Sequence, residues 1–335
     1  MLTLSSVFLP GGDSAYEARI ARLLSFSVEA YEIAHPLGVR ELEELANTFR
    51  SQRRQALAIR SDVLQSEREL AFPALAGPRA SIAATDESER RTAVETARGA
   101  VDWAARLEAR ACVVDGGTLA VTVDESTARA RYDAGTWRAS EGQLSNFASD
   151  ALRRLGIERP PLAARAMDAC KRSMDTLLVR CDQQGLELAV ENSGSMHGFL
   201  QLAEMEELAR TFRGSKLVCW FDPSRARVLS LLGLAKENAE LEVETVFDTS
   251  AGAVIVQDTR GIQYDLPPGE GEWPLDHVYK RHCDHRPLVL RVGDTRIDDQ
   301  RLAAAIEFLR SRGLNGPAPI EAEPFPIFGR NTKRQ

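Results

Sequence analysis

Along the chain, short apolar runs rich in β-branched residues alternate with longer stretches whose apolar positions recur near every 3.6 residues. The runs at 2–9, 28–33, 56–59, 80–83, 111–114, 187–190, 216–221, 253–256 and 288–292 predict strands. They are continuously apolar rather than alternating, which is the pattern of strands covered on both faces, as in a parallel sheet with helices outside it. Between them, 87–108 predicts a helix whose buried stripe is Ala93, Val94, Ala97, Val101, Ala104, Ala105 and Leu107. Asp86 supplies its N-cap oxygen and Glu89 stands in the capping-box position. A second helix, 162–184, stops at Gly185, where a glycine accepts the left-handed backbone of a helix end.

Eight or so strand–helix units over about 310 residues predict an α/β protein, a single (β/α)8 TIM barrel, in preference to an open doubly wound sheet. The first strand is followed by Pro10-Gly11-Gly12-Asp13, with neither GxGxxG nor GxxxxGK[ST], so the usual phosphate loop of an open sheet is missing. No repeat is evident beyond the unit itself. The barrel is assigned to residues 1–312. A helical excursion after strand four, 118–161, holds Trp137, includes a helix around 142–155, and would project over the active face. The stretch 313–335 carries Pro317, Pro319, Pro324 and Pro326 and reads as an extended C-terminal tail: a strap that docks through Phe325, Ile327 and Phe328 and ends in disorder.

Composition narrows the partners. The 335 residues hold 42 Lys and Arg against 49 Asp and Glu, a net charge of −7, which argues against nucleic acid as the main partner. No apolar run is long enough to span a membrane, and the first ten residues lack the positive start and cleavage site of a signal peptide. Five cysteines, an odd number without a CxxC pair, fit reduced buried thiols and a cytoplasmic location better than disulfides or a zinc site. Self-association is left open.

A barrel of this kind seats its chemistry at the C-terminal ends of its strands. The polar residues there are Glu32 and His35; Arg60 and Asp62; Asp115; Glu191 and Asn192; Asp222 and Arg225; Gln257, Asp258 and Arg260; Arg291 and Asp294. A carboxylate directly after Leu-Ala-Val or Val-Cys-Trp-Phe is partly desolvated and needs a cation or donor to stay ionised.

Several of these residues sit in a recognisable order. The segment Leu186-Glu-Leu-Ala-Val-Glu-Asn192 resembles the fifth strand of the xylose isomerase-like TIM barrels, a superfamily of sugar-phosphate isomerases and epimerases that includes endonuclease IV. The pieces 84–91 and 103–114, then Phe221-Asp222, then Val254-Ile-Val-Gln-Asp258, then Pro268-Gly-Glu-Gly-Glu-Trp-Pro274 resemble further units of the same family, in the same order, over about residues 15–312. The resemblance implies a divalent metal held by a Glu after strand five, an Asp and a His after strand six, a His on strand seven and a Glu after strand eight. Glu191 and Asp222 fill the first two positions, but the others read Arg225, Ile255 and Arg291. A guanidinium has no lone pair to give a metal and isoleucine has none at all. The expectation is therefore a salt-bridge cluster with no bound metal or other cofactor. His197 reads as a loop residue, and His277, His282 and His285 around Cys283 fall on the far face from the site.

The family resemblance then implies an isomerase, epimerase or lyase for a small polyhydroxylated or carboxylated substrate, and the missing ligands imply that it works without metal. Glu191 or Asp258 would be the base and Arg225 the group that stabilises an enolate. Arg291, Asp222, Asn192, Gln257, Glu32 and His35 would bind the substrate. The alternatives are a barrel that has lost catalysis and binds a small ligand or a protein, and metal catalysis retained through replacement ligands such as Asp115, Glu32, Asp258 or His197.

Overall fold

The computed structural model describes residues 1–9, 16–63, 81–123, 146–232, 234–235, 251–276, 279, 286–293 and 296–315. Residues 10–13 after the first strand, Trp137, the histidines around Cys283, Asp294 and the tail beyond residue 315 lie outside them.

Eight parallel strands close into a barrel: β1 (Leu2–Ser5), β2 (Ala30–Ile33), β3 (Ala56–Arg60), β4 (Ala111–Val114), β5 (Glu187–Glu191), β6 (Leu217–Phe221), β7 (Ala251–Val256) and, after a two-stranded hairpin, β10 (Leu288–Leu290). Neighbours in the chain are neighbours in the barrel, and β10 pairs with both β7 and β1 to close it. The hairpin is an antiparallel pair, β8 (Asp258–Arg260) and β9 (Gln263–Leu266), placed directly after β7. Seven helices are described: α1 (Tyr16–Ser25), α2 (Val39–Ser51), α3 (Glu87–Arg106), α4 (Asn146–Gln184), α5 (Leu202–Thr211), α6 (Pro223–Leu231) and α7 (Asp299–Ser311).

The strands are apolar on both faces because each face has its own core. Outward residues such as Leu4, Ile33, Cys112, Val190, Phe221, Val256 and Leu290 pack with the helices in the large core. Inward residues form a second core of Met1, Ala30, Ala58, Ala111, Val113, Ala189, Trp220, Ala253, Ile255 and Val289. Five of these are alanines, and the space they leave is taken up by Trp220, which is fully buried.

Local expectations hold where short-range chemistry decides. Asp86 caps α3 by accepting from the Glu89 amide. The end of α4 closes with Leu186 N–H donating to the Cys181 carbonyl and Gly185 at φ +76°. Two expectations need correction. Residues 81–83 are a turn, not a strand: Ser81 Oγ accepts from Ala83 N–H and donates to the Gly116 carbonyl, while Ser173 Oγ donates to the Ile82 carbonyl. A short apolar run marks burial and cannot by itself distinguish a strand from a buried turn. The helix expected to start at 162 starts at Asn146, so the separate helix around 142–155 merges with it through Pro160 and Pro161. Prolines inside a helix cost about 3 kcal/mol through lost hydrogen bonds and clash. Contacts flanking the pair hold this turn in place: Arg159 pairs with Glu204 at 2.6 Å and donates to the Gly198 carbonyl, and Glu158 accepts from Thr122.

Candidate active site at the mouth of the barrel

Continuing the inward alternation of each strand by two residues, from Thr3, Ala30, Ala58, Val113, Ala189, Trp220, Ile255 and Val289, gives Ser5, Glu32, Arg60, Asp115, Glu191, Asp222, Gln257 and Arg291. Every strand therefore changes from a mostly apolar inward interior to a polar residue at its C-terminal rim.

Three arginines and three carboxylates on this rim lock together. Glu191 Oε1 accepts from Arg225 Nη1 and from Arg291 Nη1, the latter at 2.5 Å, and Glu191 Oε2 accepts from Arg60 Nη1 at 3.0 Å. Arg291 also donates to Glu32 Oε1 at 2.8 Å, with Arg60 3.8 Å from the same oxygen. Asp222 Oδ2 lies 3.2 Å from Arg225 Nε and accepts from Gln257 Nε2 at 2.7 Å. Its other oxygen caps α6 by accepting from the Arg225 amide. Asn192 holds the backbone of residue 222 with a two-way bond, its Nδ2 donating to the Asp222 carbonyl and its Oδ1 accepting from the Asp222 amide. Glu32 and Asp222 are wholly buried, and Glu32 Oε2 and Gln257 Oε1 are buried without a hydrogen-bond partner.

Burial alone would push the Glu191 carboxyl up, but Arg291, Arg225 and Arg60 together hold it well below the usual carboxylate range. Asp222 goes the other way. Burial raises it to about 6, aided by Glu191 and opposed by Arg225 and Arg291. The three arginines are raised by these same carboxylates against the cost of burial.

The predicted site residues divide into two groups. Glu191, Asp222, Arg225, Arg291, Gln257, Asn192 and Glu32 meet in this network. His35 and Asp258 make other contacts. His35 is buried against Ser6, its Nδ1 2.7 Å from Ser6 Oγ, and burial with Arg19 nearby pushes it down to about 3. Asp258 gives both oxygens to backbone amides: Oδ1 to Thr259 and Trp273, Oδ2 to Gly269 and Gly271. A carboxylate so occupied is a loop anchor. Arg60 is the residue that sequence reasoning undervalued, naming it at a strand end without assigning it a role. The period-2 extension of β3 is the signal that places it on the rim.

A small apolar core sits with these loops: Val123 after β4, Leu155 of α4, Met196 after β5, Val228 of α6, Leu232 and Ile262 of the hairpin. The excursion after β4 is tied to the loop after β5 by a Thr118–Gly198 bridge and by Leu119 N–H donating to the His197 carbonyl. His197 is accordingly a loop residue.

The donor set does not suit the metal that the family resemblance implies. Both Glu191 oxygens face guanidiniums, Ile255 lies in the apolar interior, and Arg225 and Arg291 carry charge of the same sign as a metal. Among the described residues no group of three or more His, Cys, Asp or Glu could hold a metal ion.

The fold and rim define an α/β barrel with a charged centre at its C-terminal mouth. No family model and no curated protein matches the sequence. Solved structures do match in fold. A D-tagatose 3-epimerase-like protein superposes with a TM-score of 0.62 at 13% identity, over 93% of this chain and 97% of that one. The 3-keto-D-glucoside 4-epimerase YcjR of E. coli gives 0.62 at 12%, over 92% and 98%, and a D-psicose 3-epimerase in the presence of D-fructose gives 0.59 at 11%, over 94% and 100%. Over nearly its whole length the chain thus shares the barrel fold of these solved structures.

Proposed function

We propose that this protein is a metal-independent isomerase or epimerase acting next to a carbonyl on a small polyhydroxylated or carboxylated compound. The observation that carries the reading is the convergence of Arg60, Arg225 and Arg291 on Glu191 at the rim. Proton abstraction beside a carbonyl needs a base and positive charge for the developing enolate, and fixed guanidiniums in a dry site supply that charge. The neighbours in fold are named as sugar epimerases, which supports the reaction class.

At rest Glu191 is a weak base because three cations hold its proton affinity down. A substrate carboxylate or carbonyl oxygen that takes over part of the Arg225 and Arg60 donor set releases it, so binding and activation are one event. Arg225 and Arg60 retain some exposure and face the entering group, whereas Arg291 and Glu32 lie deeper. Glu32, Gln257 and Asn192 are buried in the same network. Asp258 is left out of the proton transfer because its oxygens hold the loop. Four buried free thiols, Cys112, Cys170, Cys181 and Cys219, support a reducing, cytoplasmic setting.

The experiment is solvent exchange. Ketoses, sugar acids, keto-acids and sugar phosphates are incubated with protein in D2O containing EDTA and followed by NMR. Deuterium entering one carbon of a substrate, and its loss in Glu191→Gln, is expected. Stoichiometric Mn, Zn, Mg or Co in protein purified without chelator would overturn the metal-independent reading. A second reading, a non-catalytic ligand-binding barrel, draws on the pairing of both Glu191 oxygens. It takes over if no compound exchanges and Glu191→Gln changes only the melting temperature.

A further inference from the structure

The β8–β9 hairpin reaches the charged centre through Tyr264. The Arg225 guanidinium lies over the Tyr264 ring, 5.8 Å from its centroid, and pairs with Glu191 and Asp222. Asp265, next in the chain, adds to the negative field at Arg225. Tyr264 also packs on the apolar core that joins the hairpin to α6 and the loop after β5.

A buried side chain ties the hairpin to the loop that follows it. Asp258 accepts four backbone N–H bonds, from Thr259, Gly269, Gly271 and Trp273, at 2.8 to 3.3 Å. The loop approaches so closely that a Cβ on Gly271 would stand 2.2 Å from Asp258 Oδ1. Gly269 takes φ +92°, which only glycine adopts without strain. Further bonds fix the same loop to the hairpin: Glu272 N–H to the Thr259 carbonyl, Gly261 N–H to Glu272 Oε1, and Arg260 to the Glu270 carbonyl.

We propose that the β8–β9 hairpin is a fixed wall of the charged centre, with Asp258 as its keystone and Tyr264 as the positioning residue that aims Arg225 at Glu191. Without the ring, the long Arg225 side chain has Asp222 and Asp265 as rival partners, and its hold on Glu191 loosens. The aromatic face favours one guanidinium plane over the others, because the ring quadrupole attracts a stacked cation. The consequence for catalysis rests on the reading of Arg225 as a substrate-facing group, whereas the placement of Arg225 does not.

Arginine modification by phenylglyoxal, mapped by peptide mass spectrometry, tests the placement directly and needs no substrate. Tyr264→Ala is expected to speed modification of Arg225 about two- to fivefold, the scale of one partly exposed cation–π contact. Tyr264→Phe keeps the ring and should match the unaltered protein. Asp258→Asn turns an acceptor into a donor against two amides, so it should raise Arg225 modification and speed amide exchange across 258–273. Arg159 of α4, paired with Glu204 of α5, is the control and should not change. The proposal is overturned if Tyr264→Ala leaves Arg225 unaltered, if Tyr264→Phe behaves like Tyr264→Ala, or if Arg159 accelerates equally. Should Asp258→Asn fail to fold, the two Tyr264 variants decide the question alone. A substrate panel without turnover would sink the isomerase reading and leave this result standing.

Discussion

Glu191 carries most of the charge logic, and its neighbours respond if it is neutralised. Glu191→Gln leaves three guanidiniums facing an amide, and breaking a buried ion cluster in this one-sided way costs about 3–5 kcal/mol. A urea titration should show the loss in the midpoint with little change in slope. Asp222 gives a pH signature. Its folded carboxyl titrates at about 6, above the ordinary 3.8. Between those values the folded chain holds a proton that the unfolded chain has released, so this group adds stability as pH falls through 6 and withdraws it as pH rises. Asp222→Asn removes that dependence: the unaltered protein should lose stability relative to the variant as pH rises from 3.8 through 6. His35, pushed down to about 3, pulls in the opposite direction in both proteins and cancels in the difference. At this scale the sequence was informative about identity and poor about pairing. Glu191, Asp222, Arg225 and Arg291 could be named from strand ends. That His35 faces Ser6, and that Asp258 binds amides, depends on side-chain directions that strand-end position does not encode.

Eight of the nine predicted strands are barrel strands, because a continuous apolar run is what a doubly covered strand requires. The ninth, 80–83, has the same composition but spends its polar groups on Ser81, Ser173 and Gly116. The β8–β9 hairpin escaped prediction because Asp-Thr-Arg and Gln-Tyr-Asp-Leu lack an apolar run and its register comes from Asp258 and the glycines. Gly271→Ala is the element-scale test. Its methyl group would collide with Asp258 and with the Thr259 carbonyl, 2.4 Å away, so the loop must shift. Amide exchange should quicken across 258–273 while α3 and the β4–β5 pair keep their protection. In α4, the sequence located the end at Gly185 and misplaced the beginning, because two prolines read locally as a stop and contacts from Glu158 and Arg159 override them.

At the scale of the whole molecule, the barrel stands on two cores and a neutralised rim, with no donor set among the described residues for a metal. A bound metal stabilises only the state that binds it. The melting temperature should therefore be the same with EDTA and with added Mn, Mg or Zn, and a clear rise with one metal would count against the metal-independent reading. The net charge of −7 says little by itself, since it is the placement of arginines that gives the mouth its character.

The amino-acid sequence by itself determined the barrel, since strand burial and helix periodicity are local patterns that repeat along the chain. The resemblance read from it implies metal ligands at positions where this chain has arginine and isoleucine, and residue type alone decides whether a lone pair exists there. Only the tertiary structure decided that Arg60 joins Arg225 and Arg291 on one carboxylate, that Asp258 anchors a hairpin, and that Tyr264 reaches Arg225. Those contacts join residues from β3, β5, α6, the hairpin and the end of β10. Barrel closure brings these segments together across separations of up to 231 residues between Arg60 and Arg291, and no local pattern records which side chain will meet which.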